Sequence, residues 1–528
     1  MKIKDVILSM PLRADKWEED SLVETFVGVG PLIPILRGNN NQILFGRRGT
    51  GKTHVLMYLK SLLEKEGDCC VYIDIRKIGS SGSIYSDKRV PIEQRTIRLF
   101  TDILQEIRNQ MVSFIVKTDE NKEKYLAEVT PLLDGLCDFL NNRVVSGNVK
   151  LEKQKQHNTG RDKKYDISVS ETPSYTHTTS TNCSQMEYEG VIEEGAFIDY
   201  MDFSSVYQTF QEILDRINPH RLLLLFDEYS ELDTNLQVIL SDMFRRVFCP
   251  LKNCVFKIAT IEHRSDFKQQ IDTKNYYGLE LGADVSTCNL DDFMVFGNNH
   301  AQSLAFFREL LYRHINSMLP KEEKLNDSNE MVKQLFTQES AFEELVQAAE
   351  GVPRDAFNIL VKAITEDYNN KISVPIIRKA AKNWYNEDKQ NPILSYKGAM
   401  ALLSWIIENV ISKRHARAFL LRNDVQYDII NYLYDSRILH IIKQNISSRD
   451  KPGMKFNAYS IDYGCYVDLI NTAHSPLGLY EEEMEDGRFE FVKVPKEDYR
   501  SIRRAVLNME EFHHAYDTLS NNSLMNSN

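Results

Sequence analysis

Gly46-Arg47-Arg48-Gly49-Thr50-Gly51-Lys52-Thr53 combines residue types and spacing suited to holding a phosphate chain. The octapeptide fits G-x-x-x-x-G-K-[ST] at every fixed position. Its glycines let the backbone turn tightly and aim successive N–H groups into an anion-binding nest. A helix beginning at its end would add the positive pole of its dipole. In this arrangement Lys52 reaches the β- and γ-phosphates of a nucleoside triphosphate, ATP, and the Thr53 hydroxyl ligates Mg²⁺.

A second constellation lies at Leu222-Leu223-Leu224-Leu225-Phe226-Asp227-Glu228. An apolar run without polar alternation reads as a strand buried on both sheet faces. Such a strand delivers Asp227 at its carboxyl end, where ligands of open α/β sheets bind. Asp227 would hold Mg²⁺, and Glu228 is suited to polarise an attacking water as a general base. The pair is what favours hydrolysis over passive binding. Val255–Thr260 reads as a neighbouring strand; Thr260 either hydrogen-bonds the γ-phosphate or attacking water, or simply caps the strand end.

The elements that must position these groups are legible around them. Gln42–Phe45 is a short apolar strand before the glycine turn, and Thr53–Glu66 a helix with Val55, Leu56, Leu59, Leu62 and Leu63 on one stripe. Val71–Ile75 is a second strand, so strand, helix and strand follow in the order of a parallel sheet. Residues 95–118 read as helix. After a polar, Ser/Thr-rich stretch the pattern resumes with helices near Phe203–Arg216 and 233–247 and a strand at Cys254–Thr260. Residues 300–390 read as helical almost throughout. The expected layout is an ATPase core over 1–290, interrupted by an insertion at about 120–197 bearing weak β-like alternation; then a helical lid over 291–392. A further module over 393–475 and an acidic extension with a disordered tail over 476–528 complete it.

Composition narrows the class. The chain has 528 residues, 42% hydrophobic and 27% charged, and room for about three or four domains. A formal net charge of −12 argues against a surface that coats nucleic acid throughout. The eight cysteines show no paired C-x-x-C spacing, so they read as reduced thiols rather than zinc ligands. No stretch has the roughly 18 uninterrupted apolar residues of a membrane span, and no signal peptide is visible at the start; the expected location is the cytoplasm.

Together with Gly351-Val352-Pro353-Arg354-Asp355-Ala356, these elements resemble the AAA+ ATPases, in particular the branch similar to origin-recognition initiators, which also resembles the signal-transducing STAND ATPases. The resemblance covers about 30–75, 200–290 and 300–390. It implies an α/β fold: a parallel-sheet P-loop AAA+ core with a helical lid and a C-terminal winged-helix domain. It also implies that Arg354 in the lid senses the γ-phosphate and that Thr260 is a first sensor; paired instead with Asp355, Arg354 would be structural. The first sensor of the family is more usually Asn, and no arginine finger is evident. Arg245, Arg246 and Arg264 are the candidates by location.

By the same resemblance, cofactors are ATP and Mg²⁺ and the chain forms a homo-oligomer with ATP, working on a protein effector. Bacterial chains of this build serve as regulatory ATPases in antiphage defence or mobile elements. The winged helix is read from helices at Lys397–Val410, Ala416–Leu421 and Val425–Ser436 and strands at Ile438–Lys443 and Ala458–Ile461. Residues 411–455 carry nine Lys and Arg against four Asp, which fits DNA-backbone contact through Lys413, Arg414, Arg417 and a tip bearing Arg449, Lys451 and Lys455. Contact with protein, or locking of the ATPase, is the alternative, since Val425–Ser436 offers Asp428 and Asp435 and no Arg to a groove. His513-His514 is too isolated to argue for a metal.

Overall fold

Apolar runs too short for helices form the centre of the molecule. In the chain's computed structural model, described over residues 3–78, 87–118, 129–135, 143–146, 149–153, 189–193, 196–199, 201–294, 300–396, 398–412, 418–425, 427–447, 453–470, 481–483, 489–491 and 505–516, they build one parallel sheet. Short helices precede it, among them α1 (Ile3–Ser9) and α2 (Glu19–Thr25). The core follows as β1 (Gln42–Phe45), α3 (Lys52–Glu64), β2 (Cys69–Asp74), α4 (Ile92–Thr118), α5 (Phe203–Ile217), β3 (Leu222–Asp227), α6 (Thr234–Val247), β4 (Cys254–Thr260) and β5 (Ser286–Asn289). Strand order is β5-β1-β4-β3-β2, every pairing parallel. Register sets Asp74 beside Asp227 and Phe45 beside Thr260, so the carboxyl ends of four strands share one edge.

Alternate residues feed two apolar layers. Leu224, Phe226, Phe256 and Ile258 pack with α4, α5 and α6 on one face. Leu223, Leu225 and Ala259 pack with Val55, Leu56, Leu59 and Leu63 of α3 on the other. Every residue of β3 is buried, and each leucine there contributes about 1.5–3 kcal/mol. Lys257 is a buried charge within β4. Its ammonium donates to the carbonyls of Gly38 (3.0 Å) and Asn40 (2.7 Å) and to Gln42 Oε1 (2.5 Å), which fixes the turn that starts β1.

Within the expected insertion, Arg143–Ser146 pairs antiparallel with Ala196–Asp199, and Val149–Lys153 with Glu189–Glu193. The alternation read at Tyr165–Val169 lies outside the described residues.

The lid is α7 (His300–Met318), α8 (Ser328–Leu335), α9 (Glu339–Ala349), α10 (Pro353–Glu366) and α11 (Val374–Trp384). Pro353 opens α10, where its missing N–H has no partner to lose. Val6, Ile7 and Met10 of the N-terminal segment join the lid's apolar core, a long-range contact invisible to local patterning.

The C-terminal module holds α12 (Ala399–Trp405), β6 (Ala418–Arg422), α13 (Asp428–Asp435), β7 (Leu439–Ser447), β8 (Lys455–Ile461) and α14 (Tyr463–Ile470). The sheet order is β6-β8-β7, antiparallel. The expected helix at Ala416–Leu421 is therefore corrected: Ala418–Arg422 is an edge strand. Four consecutive apolar residues fit a buried strand as well as a helical turn, and periodicity cannot separate them over five residues. Ala505 and Leu507 extend the module by bracketing Leu420 with backbone hydrogen bonds, and Leu507, Met509 and Phe512 are buried in its core. Lys413, Arg414, Arg417, Arg449 and Lys451 lie outside the described residues.

Candidate active site

The loop after β1 can close only with glycine at two places. Gly49 and Gly51 have φ of 88° and 96°, where a Cβ is strained. A Cβ on Gly49 would also stand 2.7 Å from Arg354 Cβ, so the lid seats directly on the loop. There the Arg354 N–H donates to the Gly49 carbonyl at 3.2 Å. Lys52, first residue of α3, donates from Nζ to the carbonyls of Gly46 (2.7 Å) and Arg47 (3.1 Å). Burial lowers its pKa, opposed by Glu228 and Asp227.

Asp227 is fully buried at the end of β3. Its Oδ2 accepts from Thr53 Oγ1 at 2.6 Å and from the Tyr72 hydroxyl at 2.8 Å, and its Oδ1 accepts from the Glu228 N–H at 2.9 Å. Thr53 and Asp227 thus present hard oxygen donors side by side. That set fits Mg²⁺, which takes one or two protein ligands and fills its octahedron with water and phosphate. Among the described residues no cluster of three or more His, Cys, Asp or Glu offers an all-protein metal cage.

Glu228 adopts a left-handed backbone, φ 57°, a conformation that costs a non-glycine residue energy and persists where its surroundings hold it. Burial, then the adjacent Asp227, raises its pKa above the usual carboxylate range. Arg76 stands 3.5 Å from Glu228 Oε1 while paired with Asp74 at 2.8 Å. Sequence reasoning missed Arg76 and Tyr72, whose only signal was their place at the end of β2, next to β3.

Arg48–Thr53, Arg76, Glu228 and Arg354 line one cavity of about 300 Å³. Its opposite wall is apolar and aromatic: Trp17, Phe26 and Val29 from the N-terminal segment, with Leu310, His314 and Phe357 from the lid. Trp17 and Phe357 flank His314 at 5.3 and 5.1 Å between ring centroids. Burial, then His54, pushes His314 down to about 3, so this wall carries a neutral imidazole. None of it was picked out in the sequence, because the wall is assembled from segments some 300 residues apart.

The remaining candidates sit elsewhere. Thr260 is fully buried at the end of β4, its hydroxyl bonded to that of Ser265, and it does not line the cavity. Arg47 lends its backbone to the loop, but its side chain runs into the C-terminal module. Arg245 and Arg246 are both held by Asp242, at 2.8 and 2.6 Å, and Arg264 lies 3.6 Å from Asp435. Asp355 does not pair with Arg354; it faces Arg437 and Lys389. No described helix is long and apolar enough to cross a membrane.

No protein-family model and no curated protein matches the chain. Among solved structures, it is similar to Cdc6p from Pyrobaculum aerophilum, at 12% identity, 88% of this chain, 97% of that chain and a TM-score of 0.30. It is similar to the Thermotoga maritima RuvB Holliday junction branch migration motor, at 10% identity, 88% and 98% coverage and a TM-score of 0.30. Aeropyrum pernix Orc1, solved in complex with DNA, shows 13% identity, 88% and 95% coverage and a TM-score of 0.30. The strand order β5-β1-β4-β3-β2, the glycine loop after β1 and the helices seated on that loop make the core a parallel α/β fold of the P-loop type.

Proposed function

We propose that the chain binds ATP with Mg²⁺ in this cavity, hydrolyses it to ADP and phosphate, and uses nucleotide state as a switch. The convergence of Lys52, Thr53, Glu228 and Arg354 on one cavity, with Asp227 bonded behind Thr53, carries the reading. The loop N–H groups and the α3 dipole cradle the phosphates, and Lys52 and Arg354 balance charge on the transferring group. Bound through Thr53 and Asp227, Mg²⁺ would neutralise the β- and γ-phosphate oxygens. Glu228 accepts the proton of the water that attacks the γ-phosphorus, as the bond to the bridging oxygen of ADP breaks. The raised affinity of Glu228 for a proton suits that role. The aromatic wall supplies a face for the nucleobase.

Phosphate release from Glu228→Gln, measured beside an unaltered nucleotide affinity, is the test. The expected loss is at least about a hundredfold, the range of a general base; wild-type release from this variant would end the assignment. ATP-linked assembly of copies and action on a protein effector belong to the same reading, and light scattering with and without ATP reads the first. The DNA-loading alternative gains no support from α13, whose Tyr434 and Asp435 are turned towards Arg47 and towards His263 and Arg264.

A further inference from the structure

The second residue of the phosphate loop does not point at phosphate. Arg47 is 3% exposed, and its guanidinium is shared between the core and the C-terminal module. Nε donates to Asp291 Oδ1 at 2.9 Å, Nη1 meets His440 Nδ1 at 2.9 Å, and the group lies 4.8 Å from the Tyr434 ring centroid. A guanidinium has no acceptor, so His440 Nδ1 must accept and its Nε2 must carry the hydrogen. That hydrogen faces Asp462 Oδ2 at 3.4 Å.

From Asp462 the chain of contacts turns back to the lid. Lys389 binds Asp462 and lies 2.9 Å from Asp355 Oδ2, while Arg437 holds Asp355 and donates to Asp388 at 2.6 Å. Asp355 is the neighbour of Arg354 on the first turn of α10. Lys389, Asp355 and Asp462 are almost wholly buried. Two local irregularities mark this cluster: Arg437 has a left-handed backbone, φ 63°, and Lys389 closes a π-helical turn, Tyr385–Lys389. Both are conformations that persist where surrounding contacts require them.

We propose that the C-terminal module is a working part of the nucleotide site: His440 and Arg437 are positioning residues that hold the phosphate loop through Arg47 and the lid arginine through Asp355. The Arg47 carbonyl accepts from Lys52 Nζ at 3.1 Å and from Thr50 Oγ1 at 2.9 Å, and its N–H donates to Asp291 at 2.9 Å. A displaced Arg47 side chain therefore displaces the groups that hold Lys52. The inference rests on the nucleotide-binding reading, and Lys52→Ala separates the two.

Binding of fluorescent ATP and ADP analogues and steady-state turnover are measured for the full chain. His440→Ala is expected to weaken ATP and ADP alike by about tenfold, the scale of one lost charge-assisted hydrogen bond. His440→Gln, whose amide can accept from Arg47 and donate to Asp462, stays within about threefold of wild type. Arg437→Gln lowers kcat by about tenfold and leaves ADP affinity within twofold, because only the lid arginine is released. A folded His440→Ala protein with wild-type affinity and turnover overturns the proposal, while Lys52→Ala binding like wild type would instead remove the reading beneath it. Should His440→Ala lose cooperative unfolding, Tyr434→Leu decides: about threefold weaker binding supports the proposal, and unchanged binding overturns it.

Discussion

At the scale of single residues, the loop and the lid meet through one glycine. Gly49 combines a φ of 88° with a would-be Cβ 2.7 Å from Arg354 Cβ, so an added methyl strains the backbone and pushes the lid away together. Gly49→Ala is expected to destabilise the fold by about 1–3 kcal/mol and to weaken nucleotide binding. Thermal unfolding and an ATP titration check both; a variant unchanged in each would show that the lid does not rest on the loop. The residues with a fixed motif were legible in the sequence because their spacing encodes one backbone shape. Arg47 was legible only as a loop member. Its partner His440 lies 393 positions away, and no local pattern reports a side chain that leaves its motif. Asp355, weighed in the sequence as a partner for Arg354, is taken by Arg437 and Lys389 for the same reason.

At the scale of elements, the core strands were the most readable part. The boundaries read at Gln42–Phe45 and Cys254–Thr260 coincide with β1 and β4, since continuous apolar runs between turn residues permit little else at that length. β6 was misread as a helix because its five residues satisfy both patterns. The segment 505–516 went unread as a packing element, yet Leu507, Met509 and Phe512 are each 3% exposed in the core of the C-terminal module. Ending the chain at 504 should therefore destabilise that module by roughly 5 kcal/mol, at about 1.5–3 kcal/mol for each large side chain. Limited proteolysis and differential scanning calorimetry would show it as an earlier transition. An unmoved transition would mean that these side chains contribute nothing to the fold.

At the scale of the whole molecule, core, lid and C-terminal module meet at one buried ionic cluster. Burial alone would raise Asp355 and Asp462, but Arg437 and Lys389 hold the first below the usual carboxylate range, and Lys389 and His440 hold the second well below it. Because the folded values are depressed, the stability these carboxylates contribute is fully present above their unfolded value of about 4. It is lost as pH falls through the folded values. Lys389→Met should cost about 3–5 kcal/mol by removing the buried ammonium that two carboxylates share, and should move the midpoint of acid unfolding upward. An acid titration followed by near-ultraviolet circular dichroism reads that midpoint, and an unmoved midpoint with unchanged stability would contradict the cluster's role.

The proposed function turns on the cavity between loop and lid taking a triphosphate. Calorimetric titration of Mg²⁺ and ATP into the wild-type chain and into Lys52→Ala tests that most directly. One saturable site is expected in the wild type and a loss of affinity of at least about a hundredfold, roughly 2.7 kcal/mol, in the variant. A wild-type chain that takes up no ATP, or a Lys52→Ala chain that binds it equally well, would mean that the loop at Gly46–Thr53 is not an ATP site.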